Sequence, residues 1–235
     1  MSEHWKLAVG EVPLGALGPL DETLLNGREI THSFLALIDD NGQVVEELHG
    51  RPLDGFASVF KDLKNSIRQY FNLYSAPPDQ VIKTQNGAKL KVFLDRPNPE
   101  KTPEKCVYTI IDEGPRGDIE QKWEKAIERA IDISSADIDY LALGIGKNHG
   151  QNCHSVTCSI LHHIGKNAQE IAECLTENYI RPGFERILPK RNLFANGEKP
   201  SKSVLRAQLE STIKDKGKES VAPTVKRIAA KLGIG

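Results

Sequence analysis

NCHSVTCSILHHIG, at residues 152–165, predicts a helix that carries a cysteine in its first turn. Asn152 is a favourable N-cap residue, and Gly165 is the residue type that commonly follows the last turn of a helix. The backbone N–H groups of a first turn have no partner within the helix, so with the helix dipole they favour a thiolate and can bind an oxyanion. The sequence therefore predicts a nucleophile at Cys153, with the Cys153 N–H, Gln151 and Asn152 as oxyanion-binding groups.

The apolar positions of this segment fall on one side of the predicted helix. At about 100° per residue, one face carries Cys153, Val156, Thr157, Ile160 and Ile164. Cys153 then lies at the N-terminal end of the buried face, where the helix meets the rest of the fold. The alternative is a buried cysteine without a chemical role, since cysteine is among the most buried residue types.

A thiol nucleophile needs a base, and His32 is the best candidate. It lies in the apolar, strand-like run 30–38. Asn41-Gly42 is a strong signal for a hairpin that returns along residues 43–49. The return strand contains the polar residues that would orient the base: Glu46, Glu47 and His49.

His49 and Glu47 are the alternatives for the third catalytic residue. Pairing about the turn places His49 near residues 34–35, so a diagonal contact or a modest bulge would bring it to His32. Glu47 falls one pair farther away, near Ala36. A carboxylate stabilises an imidazolium better than a neutral imidazole does, but reach favours His49, which is the first choice.

The order of these residues resembles that of the circularly permuted papain-like cysteine hydrolases and acyltransferases. This superfamily includes NlpC-type cell-wall peptidases and lecithin retinol acyltransferase-like proteins, which carry a histidine on a strand, a partner on the hairpin and a later Asn-Cys at a helix start. The matching residues are His32, then His49 or Glu47, then Asn152-Cys153.

A second point of similarity is the loop Arg181-Pro182-Gly183-Phe184, which resembles a loop of bacterial effector-type members with an Asn-Ser/Cys-Asn-Ser motif. The chain departs from that motif at His154, which stands in place of the second Asn. The resemblance spans about residues 28–190 and implies an α+β fold, in which an antiparallel sheet packs against the helix that carries the cysteine. It also implies thiol-based hydrolysis or acyl transfer of amide or ester bonds.

The chain is expected to have three parts. Residues 1–28 are rich in Gly and Pro and predict an irregular lead-in, residues 29–195 would form the papain-like catalytic domain, and the Lys-rich residues 196–235 predict a helical tail. Further elements are expected from apolar periodicity and turn signals: a helix at 54–74, a hairpin at 81–94, a strand at 106–111, and helices at 118–133 and 168–179.

Composition excludes several classes of function. The formal net charge of −1 gives no field that would attract nucleic acid, and the sequence contains no run long enough to span a membrane. The N-terminus lacks a signal-peptide pattern, so the protein is expected to be made in the cytoplasm and to act there or to leave by another route. The four cysteines show no paired spacing, which favours reduced thiols.

These features predict a cysteine hydrolase of the peptidase or amidase type without a cofactor. The resemblance makes peptide or isopeptide amides of the bacterial cell wall the first-choice substrate, cleaved by a secreted antibacterial toxin that would have an immunity or chaperone protein as partner. An acyltransferase or deamidase that acts on a host protein or lipid, and a non-catalytic binding module, remain alternatives. A zinc site at His154, Cys158 and His162 is a weaker one, since no closed ligand set accompanies them.

Overall fold

The computed structural model describes residues 4–14, 28–53, 89–95, 97, 106–136, 138–140, 151–175, 177, 179–181, 184 and 186–188. Within them the strands are β1 (His4–Pro13), β2 (Glu29–Ile38), β3 (Val44–Pro52), β4 (Leu90–Asp95), β5 (Val107–Pro115) and β6 (Tyr179–Ile180). The helices are α1 (Arg116–Ser135), α2 (Cys153–His163) and α3 (Ala168–Cys174).

The five longer strands form one antiparallel sheet in the order β4-β3-β2-β1-β5, and β6 pairs in parallel with β2. The fold is therefore α+β, as the sequence predicted. In the β2–β3 hairpin, His49 pairs with Phe34 and Glu47 pairs with Ala36. The predicted register is thus confirmed, and Gly42 adopts a φ of 78° in the turn.

The sheet is buried on both faces at its centre. One face packs against α1 and α2 and forms the main core, which includes Leu7, Val9, Leu35, Leu37, Leu48, Trp123, Ile127, Ile131, Val156 and Ile160. The indole N–H of Trp123 donates to the buried carboxylate of Glu46 at 2.8 Å. Alternate residues of the strands point to the opposite face, where they form a second cluster of Ala8, Phe34, Ala36 and Ile38.

Strand β1 corrects the predicted lead-in, because residues 4–13 are a strand between β2 and β5. Gly10 and Pro13 gave the segment the composition of a loop. Gly10 has a packing role instead, since a Cβ added there would lie 2.3 Å from the ring of Phe34. The remainder of the predicted lead-in lies outside the described residues, apart from Leu14 and Arg28.

The strand expected at 106–111 and the helix expected at 118–133 are confirmed as β5 and α1. The helix expected at 168–179 is too long: α3 ends at Cys174, the backbone becomes extended at the buried Leu175, and Tyr179 pairs with β2. The expected helix 54–74, most of the hairpin 81–94 and the tail 196–235 lie outside the described residues. In the part of the chain that is described, no helix combines the length and the hydropathy needed to cross a bilayer.

Gly50 sets how closely α2 approaches β3, and replacing it by alanine is expected to destabilise the protein by about 1–3 kcal/mol. A Cβ at this position would lie 2.6 Å from Val156 Cγ2, so the helix or the strand would have to move. Urea unfolding measures the effect. Gly114→Ala is the matched control, because nothing lies within 4 Å of its added Cβ. Equal stability of the two variants would contradict the close packing of α2 on β3.

Candidate functional site

Asn152 caps the start of α2, as the sequence predicted. Its side-chain oxygen accepts from the backbone N–H of His154 at 3.0 Å and of Ser155 at 3.3 Å, and the Asn152 N–H donates to the Ser155 hydroxyl at 2.8 Å. This capping box fixes Cys153 as the first residue of the helix. Because the Asn152 side-chain oxygen is held by the cap, the structure assigns Asn152 a role in positioning the cysteine.

Along the edge away from β1, strand β2 pairs with β6 at residues 29–30 and with β3 farther along. Its pairing with β3 begins at Phe34, opposite His49. The N–H of Leu14 bonds to the carbonyl of Ile30, so even-numbered residues of β2 direct their backbone groups towards β1. Odd-numbered residues direct theirs to the other edge. We call residues 31–33, which precede the pairing with β3, the open edge of β2.

The start of α2 occupies this open edge. The backbone N–H of Ser33 faces the thiol of Cys153, and the carbonyl of Thr31 lies beside the imidazole of His154. The N–H groups of Cys153 and His154 also face the sulfur. Backbone N–H groups of the helix start and of the strand edge therefore surround the thiol. One of them belongs to Ser33, the residue that follows His32 in the chain.

The ionisation of Cys153 differs from the expectation drawn from its helix position. Burial raises the pKa of the thiol to about 11, although the three backbone N–H groups act in the opposite direction. Only 3% of the residue is exposed, so loss of hydration outweighs the donors and the helix dipole. The thiol is consequently neutral at pH 7.

His32 forms one end of a chain of hydrogen bonds on the face of β2 opposite to the Ser33 side chain. His32 Nε2 lies 2.9 Å from His49 Nδ1, and His49 Nε2 lies 3.0 Å from Glu47 Oε2. The hydroxyl of Tyr108 donates to Glu47 Oε1 at 2.9 Å. The two alternatives for the orienting residue thus act in series, with His49 in contact with His32 and Glu47 behind it. We call these four residues the histidine relay.

The relay defines where the protons lie. A carboxylate only accepts, so the neutral tautomer of His49 that fits Glu47 donates from Nε2 and keeps a lone pair on Nδ1. His32 then donates from Nε2 to that lone pair, which leaves its own lone pair on Nδ1, the atom that would accept a proton from a thiol. Burial lowers the pKa of His32 well below 6.5, and the nearby basic groups lower it further: His49 and His154 when they are protonated, and Arg51. His32 is therefore a neutral imidazole at pH 7.

Phe34 supports both rings of the relay. Its ring centroid lies 4.4 Å from that of His49 and 5.8 Å from that of His32, with stacked geometry, and Tyr108 meets Phe34 edge-on at 5.9 Å. Tyr108 comes from β5, three strands away from Glu47 on β3. A flat sheet would separate those strands by about 14 Å, so the sheet must curl towards this face.

His154 belongs to a separate buried network on the α2 side of β2. Its Nδ1 lies 2.8 Å from the hydroxyl of Ser33, which donates to Thr157 Oγ1 at 3.3 Å. The Thr157 hydroxyl donates in turn to the Cys153 carbonyl at 3.1 Å. Burial lowers the pKa of His154 to about 3, against the opposing effect of the Thr31 carbonyl. The network ties the first turn of α2 to the open edge of β2.

The remaining candidates have other contacts. With its amide oriented to satisfy both neighbours, Gln151 donates to the Asp139 carbonyl at 3.0 Å and accepts from Arg186 at 2.8 Å, which directs it away from an oxyanion role. The three residues of the alternative zinc site differ in exposure, since His154 and Cys158 are buried and His162 is exposed. Among the described residues, no three His, Cys, Asp or Glu side chains form a metal-binding group.

Three residues near the thiol or the relay were absent from the sequence predictions. Ser33 follows from the two-residue period once His32 is chosen, so a local signal existed for it. Tyr108 required knowledge that β5 joins the sheet through β1. Tyr140 lies close enough to Cys153 for the thiol to raise its pKa, in addition to the larger effect of burial, and no local pattern linked the two.

Thiol labelling tests the burial of Cys153. The exposed Cys174 is expected to react first with iodoacetamide at neutral pH, because burial outweighs the stabilisation of a Cys153 thiolate by the helix start. Labelling of Cys153 should rise about tenfold per pH unit below its pKa of about 11 for as long as the fold persists. Peptide mapping by mass spectrometry gives both rates, and Cys174→Ala should remove the fast phase. Preferential labelling of Cys153 at pH 7 would show that its thiolate is stabilised in solution.

No family model matches this chain, and no curated protein or solved structure is detectably similar to it.

Proposed function

We propose that the chain is a thiol-dependent hydrolase that cleaves amide bonds, with the circularly permuted papain-like arrangement that its residue order resembles. One observation supports this above all others. A capped helix start delivers the Cys153 thiol to the edge of the strand that carries His32, and the histidine relay leaves a lone pair on His32 Nδ1. The proposed nucleophile, base and orienting groups therefore all lie on or beside one short segment of β2.

In the proposed reaction both partners start neutral. His32 Nδ1 accepts the thiol proton while the sulfur of Cys153 attacks the carbonyl carbon of the amide, and the N–H of Cys153 binds the resulting oxyanion. His32 then donates that proton to the departing amine, which leaves a thioester. A water molecule deprotonated by His32 attacks the thioester and releases a carboxylic acid, and the proton returns to the sulfur. His49 and Glu47 stabilise the transient imidazolium.

The neutral resting state explains why a base is needed. Because burial raises the pKa of the Cys153 thiol and lowers that of His32, a preformed thiolate–imidazolium pair is disfavoured. Proton transfer must therefore accompany nucleophilic attack. The Ser33 N–H would stabilise the thiolate as it forms, since it already faces the sulfur.

The proposed substrates are peptide or isopeptide amides of the bacterial cell wall, and the proposed setting is a secreted antibacterial toxin exported without a signal peptide. The residue order that resembles NlpC-type peptidases and effector-type proteins supports this choice. An immunity or chaperone protein would then be the natural partner.

Incubation of the full chain with purified cell-wall peptides tests the proposal. New amines and carboxylates, identified by mass spectrometry, are the expected products. Transfer of the acyl group to added hydroxylamine without hydrolysis in water would indicate an acyltransferase. Release of ammonia from glutamine side chains would indicate a deamidase. Absence of any thiol-dependent acyl chemistry across peptide, glutamine and ester substrates would refute the proposal.

A further inference from the structure

We propose that Tyr108 is a positioning residue which, through Glu47 and His49, holds the ring proton of His32 on Nε2 and keeps the lone pair on Nδ1. The catalytic meaning of this inference rests on the proposed function. The proton arrangement itself is a property of the resting protein and can be measured without a substrate.

The carboxylate of Glu47 is held by a hydrogen bond at each oxygen. Its two carboxylate oxygens have separate donors, the Tyr108 hydroxyl on Oε1 at 2.9 Å and His49 Nε2 on Oε2 at 3.0 Å. Glu47 is only 7% exposed, so water offers little replacement for either donor. A carboxylate held at both oxygens cannot rotate, and Tyr108 thereby fixes the oxygen that His49 must meet.

The chemistry of Tyr108 suits this task. Burial, contact with Cys106 and the negative charge of Glu47 all raise the pKa of Tyr108, so its hydroxyl stays protonated and remains a donor at neutral pH. Its edge-on contact with Phe34 places the ring in the same aromatic stack that supports His49 and His32. Gly10, the pairing partner of Tyr108 on β1, has no side chain, and the ring of Phe34 occupies the space above it.

The direction of the hydrogen bonds then follows from one end to the other. Tyr108 donates to Glu47, Glu47 accepts from His49, and His49 accepts from His32. Without the hydroxyl, one oxygen of Glu47 loses its donor and the carboxylate can rotate away from His49. The ring of His49 is then free to place its proton on either nitrogen, and His32 must follow.

Tyr108→Phe tests the inference in the ¹⁵N-labelled full chain. Long-range ¹H–¹⁵N correlation spectra distinguish the two neutral tautomers of each histidine, and His32→Gln and His49→Gln assign the signals. The wild type should show His32 and His49 protonated on Nε2 alone. Tyr108→Phe should show both tautomers for both rings. Thr109→Val is the matched control, since it removes a hydroxyl from the adjacent residue on the other face of β5, and it should retain the wild-type tautomers.

Glu47→Gln provides a second variant should Tyr108→Phe fold poorly. An amide can present either an oxygen or an N–H to His49, so mixed tautomers are again expected. Where amide hydrolysis is detected, Tyr108→Phe should lower kcat about tenfold with KM unchanged, the size expected for losing one hydrogen bond to a charged group.

The tautomer and activity measurements fail independently. Wild-type tautomers in both Tyr108→Phe and Glu47→Gln would overturn the inference even if the enzyme hydrolyses amides. Mixed tautomers in these variants, together with a wild type that shows no thiol-dependent acyl chemistry, would support the role of Tyr108 and refute the proposed function.

Discussion

Replacing Cys153 by alanine is expected to lower amide hydrolysis by a factor on the order of 10³ or more while the fold is retained. Alanine removes the only atom that forms the thioester, but it is small and has a high helix propensity at the first position of α2. The Asn152 cap uses backbone groups of His154 and Ser155, so it should survive the substitution. Product release measured by mass spectrometry, with circular dichroism to check the fold, gives the result.

Cys174→Ala is the matched control, because this exposed thiol lies at the end of α3. It should retain wild-type turnover. His32→Ala should lose nearly as much activity as Cys153→Ala. The residual activity of the double variant should equal that of the less active single variant, because nucleophile and base act as a unit. Multiplicative losses in the double variant would show that the two residues do not cooperate.

Acid is expected to destabilise the protein strongly through His154. Its pKa is about 3 in the folded protein against 6.5 for an ordinary histidine, because burial disfavours the charged ring. The unfolded chain therefore binds the proton first, so the stability that the neutral ring confers is lost as the pH falls from about 6.5 towards 3. Between about pH 7.5 and about pH 5 the loss from this residue should be about 2 kcal/mol.

Urea unfolding at a series of pH values measures this loss. His154→Gln cannot titrate but can still bond to Ser33, so its stability should fall less steeply below neutral pH. The pKa of His32 is also lowered, so the free energy of unfolding of His154→Gln should still fall to some extent in acid. His162→Gln is the control, because this histidine is exposed on the last turn of the same helix. An acid limb in His154→Gln as steep as that of the wild type would mean that His154 is not buried as a neutral ring.

The features that sequence predicted well are local ones. The Asn41-Gly42 turn sets the pairing of the hairpin, and hence the diagonal reach from His49 to His32. The Asn152 cap is a property of a few consecutive residues. Such features depend on backbone groups that lie close together along the chain, so no knowledge of the tertiary fold is needed to infer them.

The features that sequence missed depend on distant segments. The sign of the pKa shift of Cys153 is decided by how completely the thiol is buried, which tertiary packing determines. Strand β1 was overlooked because Gly10 reads as a loop residue until the ring of Phe34 is placed over it. The contact between Tyr108 and Glu47 requires a curled sheet whose strand order is not written in any one stretch of the chain.

The two halves of the site approach β2 from its two faces, with Ser33 directed towards α2 and its neighbour His32 towards the relay. Side chains alternate strictly along a strand, so a shift of one residue in the pairing of β2 would exchange these two neighbours. His32 would then point towards the core between the sheet and α2. Ser33 would point towards the ring of His49, where the base should lie. A misassembled hairpin therefore cannot retain partial chemistry, and insertion or deletion of one residue between Ser33 and Ile38 should be tolerated far less than most single substitutions. The catalytic groups can therefore come together only when β2 has folded in its correct register.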